Sequence, residues 1–156
     1  MKRWGFILLT LSAFLFMTMN GQAAEKKIIK VGAAINMTGP ASSWGKFHEK
    51  GQRDYFQYVN EVKGGVAGHK IEMITVDTAY KVPEAQAAVR KFIMQDKVDM
   101  IATWGAGEGL AAKPIIQEYK IPAINFSTSW ELLEKPIDYM YLPFGSYKMD
   151  CQAVLE

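Results

Sequence analysis

Residues 27–45 read KIIKVGAAINMTGPASSWG, an apolar run that passes through a turn cluster into the start of a helix. The run from Lys27 to Ile35 has the unbroken apolar pattern of a strand covered on both faces, which is typical of parallel sheets. Asn36 to Pro40 supplies turn residues, and Gly64-Gly65 ends the helix that follows from Ser43. The stretch therefore predicts a strand, a turn and a helix, which together form one unit of an α/β sheet.

The same unit repeats along the rest of the chain. Further strands are predicted at residues 70–76, 98–103, 121–126 and 139–143, and further helices at 83–96, at about 108–119 and from 146 onward. This alternation favours an α/β fold with three αβα layers around a parallel sheet and right-handed crossovers. The strand at 70–76 alternates enough to lie near a sheet edge, and Pro114 is expected to bend its helix or shift its start. The last helix is expected to be truncated, because no cap precedes Glu156.

Two of the predicted helices carry apolar residues at three- and four-residue steps, the spacing of one helical face. In the helix that starts at Ser43, the apolar face is expected to comprise Trp44, Phe47, Gly51, Tyr55, Tyr58, Val59 and Val62. In the helix that starts at Pro83, the buried residues are expected to be Ala85, Ala88, Val89, Phe92 and Ile93.

The first 24 residues have the features of a secretory signal peptide. Lys2 and Arg3 give a positive start, the run from Gly5 to Met19 is apolar, and small residues up to Ala23 or Ala24 offer a cleavage site. A permanent transmembrane anchor is the competing interpretation, but the run is shorter than the roughly 20 apolar residues that a spanning helix needs. No cysteine at the cleavage site could carry a lipid, so we expect a mature protein in the periplasm.

Removal of this leader leaves a balanced charge. It takes away two of the 18 basic residues and none of the 16 acidic ones, so 16 of each remain. A nucleic-acid surface requires clustered lysine and arginine, and no nucleic-acid partner is expected. The single cysteine, Cys151, is expected to be a buried thiol in preference to half of a bridge to a partner outside this segment.

The sequence offers no convincing catalytic or metal-binding group. The glycines from Gly105 to Gly109 follow the third strand, and the third glycine comes one residue early for a dinucleotide fingerprint. His48 and His69 lack a partner at zinc-ligand spacing and are expected to be solvated. Asp77 ends a strand with no second carboxylate beside it, so it is expected to cap or form a turn rather than contact a ligand.

Three tryptophans mark one edge of the predicted sheet instead. Trp44, Trp104 and Trp130 each come just after a short strand-like run, where a strand turns into a helix. Ligands of open α/β sheets dock outside the carboxyl ends of the strands, which share one edge. Aromatic rings with a few hydroxyls and free amides, and with no evident reactive group, are typical of a binding site. The competing interpretation is that Trp44 and Trp104 only fill core space near the strand ends.

Several segments, in order along the chain, resemble the branched-chain amino-acid class of periplasmic substrate-binding proteins. They are the leader, residues 38–45 (TGPASSWG), 60–70 (NEVKGGVAGHK), the strand that ends at Asp77, 86–92 (QAAVRKF), 99–102 (DMIA) and 121–129 (IPAINFSTS). The resemblance implies a type I periplasmic-binding fold, whose two lobes close on a small ligand and present it to an ABC importer, with a permease in the inner membrane. We expect a monomer without a cofactor.

The resemblance also implies how the chain is divided. Residues 1–24 are expected to be the signal peptide, 25–143 an incomplete N-terminal ligand-binding lobe, and 144–156 the first hinge crossing and the start of a truncated helix. In such proteins the chain later returns to complete the first lobe, and the missing part would hold the second lobe and half of the pocket.

Seven residues are expected to bind the ligand: Trp44, Trp104, Gly105, Ala106, Phe126, Ser127 and Thr128. By the resemblance, Trp44 matches an aromatic residue beside the ligand, and Phe126 to Thr128 match a segment that takes its ammonium and carboxylate. Gly105 and Ala106 match a place where relatives often carry a hydroxyl, and its loss here leaves only backbone amides for an anion. Because Trp104 and Phe126 would stack on a flat ligand, we expect an amino acid, an amide or an aromatic carboxylate, with the aromatic ligand favoured.

Two further functions remain open at this point. The same lobes serve as sensory modules of signalling proteins, which sequence beyond this segment would reveal by a transmembrane span or a signalling partner. A periplasmic hydrolase would need a nucleophile, a base and an orienting acid that meet at the strand ends, and the segment offers no convincing histidine there.

Overall fold

The computed structural model describes residues 28–155. The predicted signal peptide, residues 1–24, lies outside these residues, and so does Glu156. Within the part described, no helix combines the length and the apolar character that crossing a membrane requires.

Strands and helices alternate along the chain as the sequence predicts. The strands are β1 (Ile29–Ile35), β2 (Ile71–Asp77), β3 (Met100–Trp104), β4 (Ala123–Phe126) and β5 (Met140–Tyr141). The helices are α1 (Ser42–Val62), α2 (Val82–Lys91) with a π-helical turn at Phe92–Asp96, α3 (Ala106–Tyr119), a 3₁₀ turn at Trp130–Leu133 and α4 (Tyr147–Leu155). The 3₁₀ turn was not expected, β5 is shorter than predicted, and α3 begins at Ala106 and runs on through Pro114.

All five strands are parallel, in the order β2-β1-β3-β4-β5. The sheet edge predicted for the second strand is confirmed. The register pairs Ile35 with Asp77 and Trp104 with Phe126 at the strand ends. The carboxyl ends of β1 to β4 therefore meet at one edge, which is where the turns that follow them lie.

The two faces of the sheet are covered by different helices, which confirms the three-layer fold. On one face, α2 and α3 pack a core that includes Phe92, Ile101 and Ile116, each fully buried. On the other face, residues of β1 such as Ala33 and Ile35 pack with the partly buried Phe56 of α1. The burial expected for α2 is confirmed, with Ile93 partly buried against the first core.

The orientation towards the core that the apolar spacing of α1 indicates is wrong. Of the seven residues of that apolar face only Val59 is buried, whereas the others are exposed, Trp44 by 72% and Phe47 by 77%. The helix is rotated so that Gly45 lies against β1, where a Cβ would stand 1.9 Å from the carbonyl oxygen of Asn36. The aromatic stripe therefore stays largely exposed, with Phe47 and Tyr55 at the open side of the space between α1 and the sheet, and half-buried residues such as His48 take the inward positions.

The burial expected for Cys151 is also wrong, because its thiol is exposed. It lies on α4, a helix with no buried residue. The apolar contacts that would bury a thiol are therefore absent from the described part of the chain at this position.

Candidate functional site

A cavity of about 680 Å³ opens at the carboxyl edge of the sheet. Its wall includes all seven residues to which the sequence points: Trp44, Trp104, Gly105, Ala106, Phe126, Ser127 and Thr128. Trp130 lies in the same wall, so the three tryptophans of the described residues share one opening. We call this opening the aromatic cavity.

Aromatic rings form most of the wall, and several touch one another. Tyr80 meets Trp104 edge to face, with ring centroids 6.1 Å apart. Phe126 meets the His48 ring at 4.2 Å and the Phe144 ring at 6.3 Å. Since such offset and edge contacts stabilise aromatic pairs, the rings support one another and offer flat faces to a ligand.

The backbone at Gly105 explains why no hydroxyl side chain stands in this part of the wall. Gly105 has a φ of +89°, and a Cβ there would lie 2.8 Å from the Tyr80 ring. Its carbonyl oxygen accepts a hydrogen bond from the Asn125 side chain at 3.1 Å. A residue with a side chain would therefore be strained at this position and would also displace Tyr80.

The start of α3 supplies hydrogen-bond donors in place of that hydroxyl. Gly105 is the N-cap and makes no side-chain capping bond, and Ala106 opens the helix. The N–H groups of the first helical turn have no acceptor within their own helix, and the helix dipole favours an anion there. The arrangement suits a carboxylate bound at the amides of this turn.

The segment after β4 lines the opposite part of the wall and is tied down at several points. The carbonyl oxygen of Phe126 accepts a hydrogen bond from Gly105 N–H at 3.5 Å, and that of Thr128 accepts one from Tyr147 N–H at 3.0 Å. The Ser129 hydroxyl donates to the Glu131 carboxylate, and this bond lowers the Glu131 pKa. Two of the carbonyls expected near a ligand ammonium are therefore already engaged.

Lys113 holds this segment in place from behind, which the sequence did not suggest. Its side chain is buried, and Nζ donates to the carbonyl oxygens of Leu132 at 3.1 Å and Glu134 at 2.6 Å. A longer contact of 3.4 Å reaches the carbonyl of Glu131. One ammonium group on α3 thus fixes the 3₁₀ turn that brings Trp130 and Glu131 to the cavity.

Asp77 organises the turns beside the cavity, and the turn-forming role expected for it is confirmed. Its carboxylate accepts hydrogen bonds from the N–H groups of Met37, Thr38 and Ala79 at 2.9 to 3.1 Å, and from the Thr38 hydroxyl at 2.6 Å. Desolvation acts to raise the Asp77 pKa, but these hydrogen bonds outweigh it and leave the pKa lowered. The ionised form therefore joins the ends of β1 and β2.

The prediction that both histidines are solvated is wrong. His48 is half-buried against Phe126, its Nδ1 has no hydrogen-bond partner among the described residues, and desolvation lowers its pKa. His69 is also half-buried, again with an unpartnered Nδ1. Their burial comes from tertiary contacts that spacing along the chain does not reveal.

A second cavity of about 680 Å³, the apolar groove, lies between α1 and the sheet. Its wall includes Phe47 and Tyr55 from the exposed stripe of α1, and Ala102 from β3. It shares His48 and Phe126 with the aromatic cavity. These two rings, which meet edge to face, therefore form a partition between the two spaces.

Metal chemistry finds no support in residues 28–155, where no three histidine, cysteine, aspartate or glutamate side chains are grouped to hold an ion. The aromatic cavity has the volume and the largely aromatic wall to hold a small molecule.

Comparison with protein families gives one match over most of the chain. The sequence model described as periplasmic binding protein matches residues 28–156. A comparison with curated proteins gives no match.

Solved structures with a similar fold include three transport proteins. A branched-chain amino-acid ABC transporter protein from Thermus thermophilus with bound valine is 29% identical, with a TM-score of 0.76 over 83% of this chain and 34% of that one. A solute-binding protein from Rhodopseudomonas palustris in complex with 3,4-dihydroxybenzoic acid is 29% identical, with a TM-score of 0.65 over 76% and 32%. A fatty-acid substrate-binding protein from Thermomonospora curvata is 27% identical, with a TM-score of 0.72 over 83% and 32%. The match spans about a third of the length of each.

Proposed function

We propose that this chain, which belongs to the periplasmic binding protein family, forms the N-terminal lobe of a receptor. The receptor would deliver a small ligand to an ABC importer. The family and its structural relatives are solute-binding proteins, which supports a binding role in general. The class of ligand, the delivery to an importer and the closing motion are what we propose beyond this general role.

The observation that carries the proposal is the aromatic cavity beside the start of α3. Its wall joins aromatic rings such as Trp44, Trp104 and Phe126 to the start of α3, where the Ala106 amide remains for a ligand while Gly105 N–H donates to the Phe126 carbonyl. The wall contains no lysine or arginine from residues 28–155. An anionic group would therefore be held by helix amides, not by a cationic side chain. The rings would stack on a flat body.

This combination favours an aromatic carboxylate over an amino acid or an amide. The ammonium of an amino acid needs acceptors, yet the carbonyls of Phe126 and Thr128 are already hydrogen bonded. The side-chain acceptors in the wall are Glu131, the hydroxyls of 127–129 and the phenol oxygens of Tyr80 and Tyr147. The relative from Rhodopseudomonas palustris, which holds 3,4-dihydroxybenzoic acid, supports the aromatic choice.

The proposed mechanism is closure of two lobes about a hinge. A ligand that contacts both lobes stabilises the closed state by its greater affinity for that state, and the importer recognises the result. Residues 25–143 would form the lobe, and 144–156 would lead across the hinge. No covalent step is required, so we propose a receptor and not an enzyme.

Family membership implies a location outside the cytoplasm. We propose that residues 1–24 direct the chain to the periplasm and are then removed. There the receptor would act as a monomer on a permease of the inner membrane.

A thermal-shift screen of the full-length mature protein tests the proposal. The panel comprises benzoate and hydroxybenzoates, their uncharged amides, and the aliphatic and aromatic amino acids. Ligand at 100 times its Kd should add about 2.7 kcal/mol to the free energy of unfolding. The expected result is that benzoates stabilise the protein more than all other classes. Stabilisation by amino acids alone would contradict the preference for an aromatic carboxylate. A folded protein that no compound stabilises would contradict the proposal of a receptor.

A further inference from the structure

Glu108 is a buried carboxyl group directly behind the wall of the aromatic cavity. It lies in the first turn of α3 and is only 2% exposed. Neither carboxylate oxygen has a hydrogen bond of ordinary geometry to any described residue. A buried charge with no ion pair and only weak contacts with the Thr78 and Asn36 side chains is unfavourable, so burial favours the protonated, uncharged form.

The groups that act on the Glu108 pKa come from two neighbouring segments, the turn after β1 and the end of β2, and none of them is a cation. Burial is the main cause that raises the Glu108 pKa, and the negative charge of Asp77 raises it further. Thr78 and the Asn36 side chain act in the opposite direction. Asn36 Oδ1 already accepts hydrogen bonds from the Thr78 hydroxyl and from Tyr80 N–H at 3.0 Å, and Asn36 Nδ2 has no partner within the described chain.

Glu108 lies next to the amides that would bind a ligand anion. Its Oε2 is 3.4 Å from the place that a Cβ of Gly105 would take, and Gly105 and Ala106 line the cavity. An ionised Glu108 would offset the positive end of the helix dipole there and repel a carboxylate. An uncharged Glu108 leaves the amides available to an anion.

We propose that Glu108 is a specificity-determining residue, whose buried carboxyl group is protonated when a carboxylate ligand occupies the amides at the start of α3. This inference rests on the proposed function and adds that binding of an anionic ligand is coupled to proton uptake. Glu108 itself does not contact the ligand and acts through the charge it places behind the helix start.

Calorimetry on the full-length mature protein tests the coupling. The probes are 4-hydroxybenzoate and its uncharged counterpart 4-hydroxybenzamide, each measured from pH 5.5 to 8 in two buffers of different ionisation enthalpy. For the unaltered protein, affinity for the acid should fall with rising pH, approaching about tenfold per pH unit once Glu108 would otherwise be ionised. The two buffers should report proton uptake, whereas binding of the amide should depend little on pH.

The variant Glu108→Gln should bind 4-hydroxybenzoate without proton uptake and with an affinity that changes little over this range. Glu108→Met, which is similar in size and uncharged, should behave in the same way and provides a second test if the first variant folds poorly. The titratable side chains that line the cavity are His48, Glu131, Tyr80 and Tyr147. Histidine is the one of these residue types whose ordinary pKa lies between pH 5.5 and 8, so His48→Gln serves as the control in which proton uptake should persist.

The outcomes separate the two proposals. Binding of the acid with the same pH dependence in the unaltered protein and in both Glu108 variants would overturn the role of Glu108 and leave the receptor standing. Loss of proton uptake in His48→Gln would assign the coupling to His48 instead. Failure of the unaltered protein to bind either probe or any member of the wider panel would overturn the receptor and this inference with it.

Discussion

Gly45 of α1 lies so close to Asn36 of the turn after β1 that a Cβ on Gly45 would stand 1.9 Å from the Asn36 carbonyl oxygen. No L side chain fits this contact without movement of the helix or the strand end. The contact fixes the rotation of α1, and with it the positions of Trp44 and His48 at the two cavities. It also connects the helix to Asn36, whose side chain faces Glu108.

Gly45→Ala should destabilise the protein by about 3 kcal/mol or more, because the added methyl group overpacks a rigid backbone contact. Gly51→Ala is the matched control on the same helix, since nothing lies within 4 Å of its Cβ position. The control should stabilise the protein by roughly 0.5 to 1 kcal/mol, the helix propensity gained. Urea unfolding measures both changes, and equal effects at the two positions would contradict the assigned contact.

Lys113→Met should lower the free energy of unfolding by about 2 to 3 kcal/mol, because buried carbonyl oxygens lose a charged donor. Ligand affinity should fall as well, since the 3₁₀ turn that carries Trp130 loses its anchor. Exposed Lys46 on α1 offers a control, and Lys46→Met should change stability by less than about 0.5 kcal/mol. A stable Lys113→Met protein with unaltered affinity would show that the turn is held by other contacts.

Trp104→Ala should weaken binding of an aromatic ligand by about tenfold, equivalent to roughly 1.4 kcal/mol, through loss of a stacking face. Tyr58→Ala removes an exposed ring from α1 outside the cavity wall and should leave affinity unchanged. Calorimetry with 4-hydroxybenzoate measures both. Unchanged affinity in Trp104→Ala for every ligand of the panel would contradict the role of the rings.

Asp77→Asn should cost about 2 kcal/mol at pH 7, because the carboxylate accepts hydrogen bonds from two adjoining turns. The lowered Asp77 pKa sets the sign of the pH dependence. Its stabilising effect is complete above the pKa of the unfolded chain, about 3.9, and is lost as pH falls through the lower pKa of the folded protein. The difference between the two proteins in urea unfolding should therefore shrink towards pH 3.

The control for that measurement is Asp54→Asn, which removes an exposed i,i+4 ion pair with Lys50. Such pairs contribute little to stability, so the control should differ from the unaltered protein by less than about 0.5 kcal/mol. A difference for Asp77→Asn that stays constant from pH 7 to pH 3 would show that charge plays no part in its effect.

The location of the candidate site was predictable because it follows from topology. Trp104 and Phe126 belong to different βα units, yet both end parallel strands, and parallel strands end at one edge. The apolar run of β1 and the spacing within α2 were equally informative, since burial there follows the period of the element itself.

The rotation of α1 and the burial of two ionisable residues were not predictable in this way. Trp44, Phe47 and Tyr55 have the spacing of a core-facing stripe, yet the close backbone approach at Gly45 places another side of the helix nearest the end of β1, and these rings stay exposed. Glu108 and Lys113 are buried by segments that lie distant in sequence or form an irregular turn. Charged residues on a helix ordinarily indicate a solvated surface, so neither gave a signal.

The position of the tryptophans has a spectroscopic consequence. Within residues 28–155 every indole ring lies in the wall of the aromatic cavity, and the ammonium group of Lys148 lies 5.0 Å from the Trp130 ring centroid. The tryptophan fluorescence of residues 28–155 therefore originates at the cavity and nowhere else in the described part of the chain. A ligand that enters will quench or shift that emission directly, and the lobe carries its own optical label for occupancy.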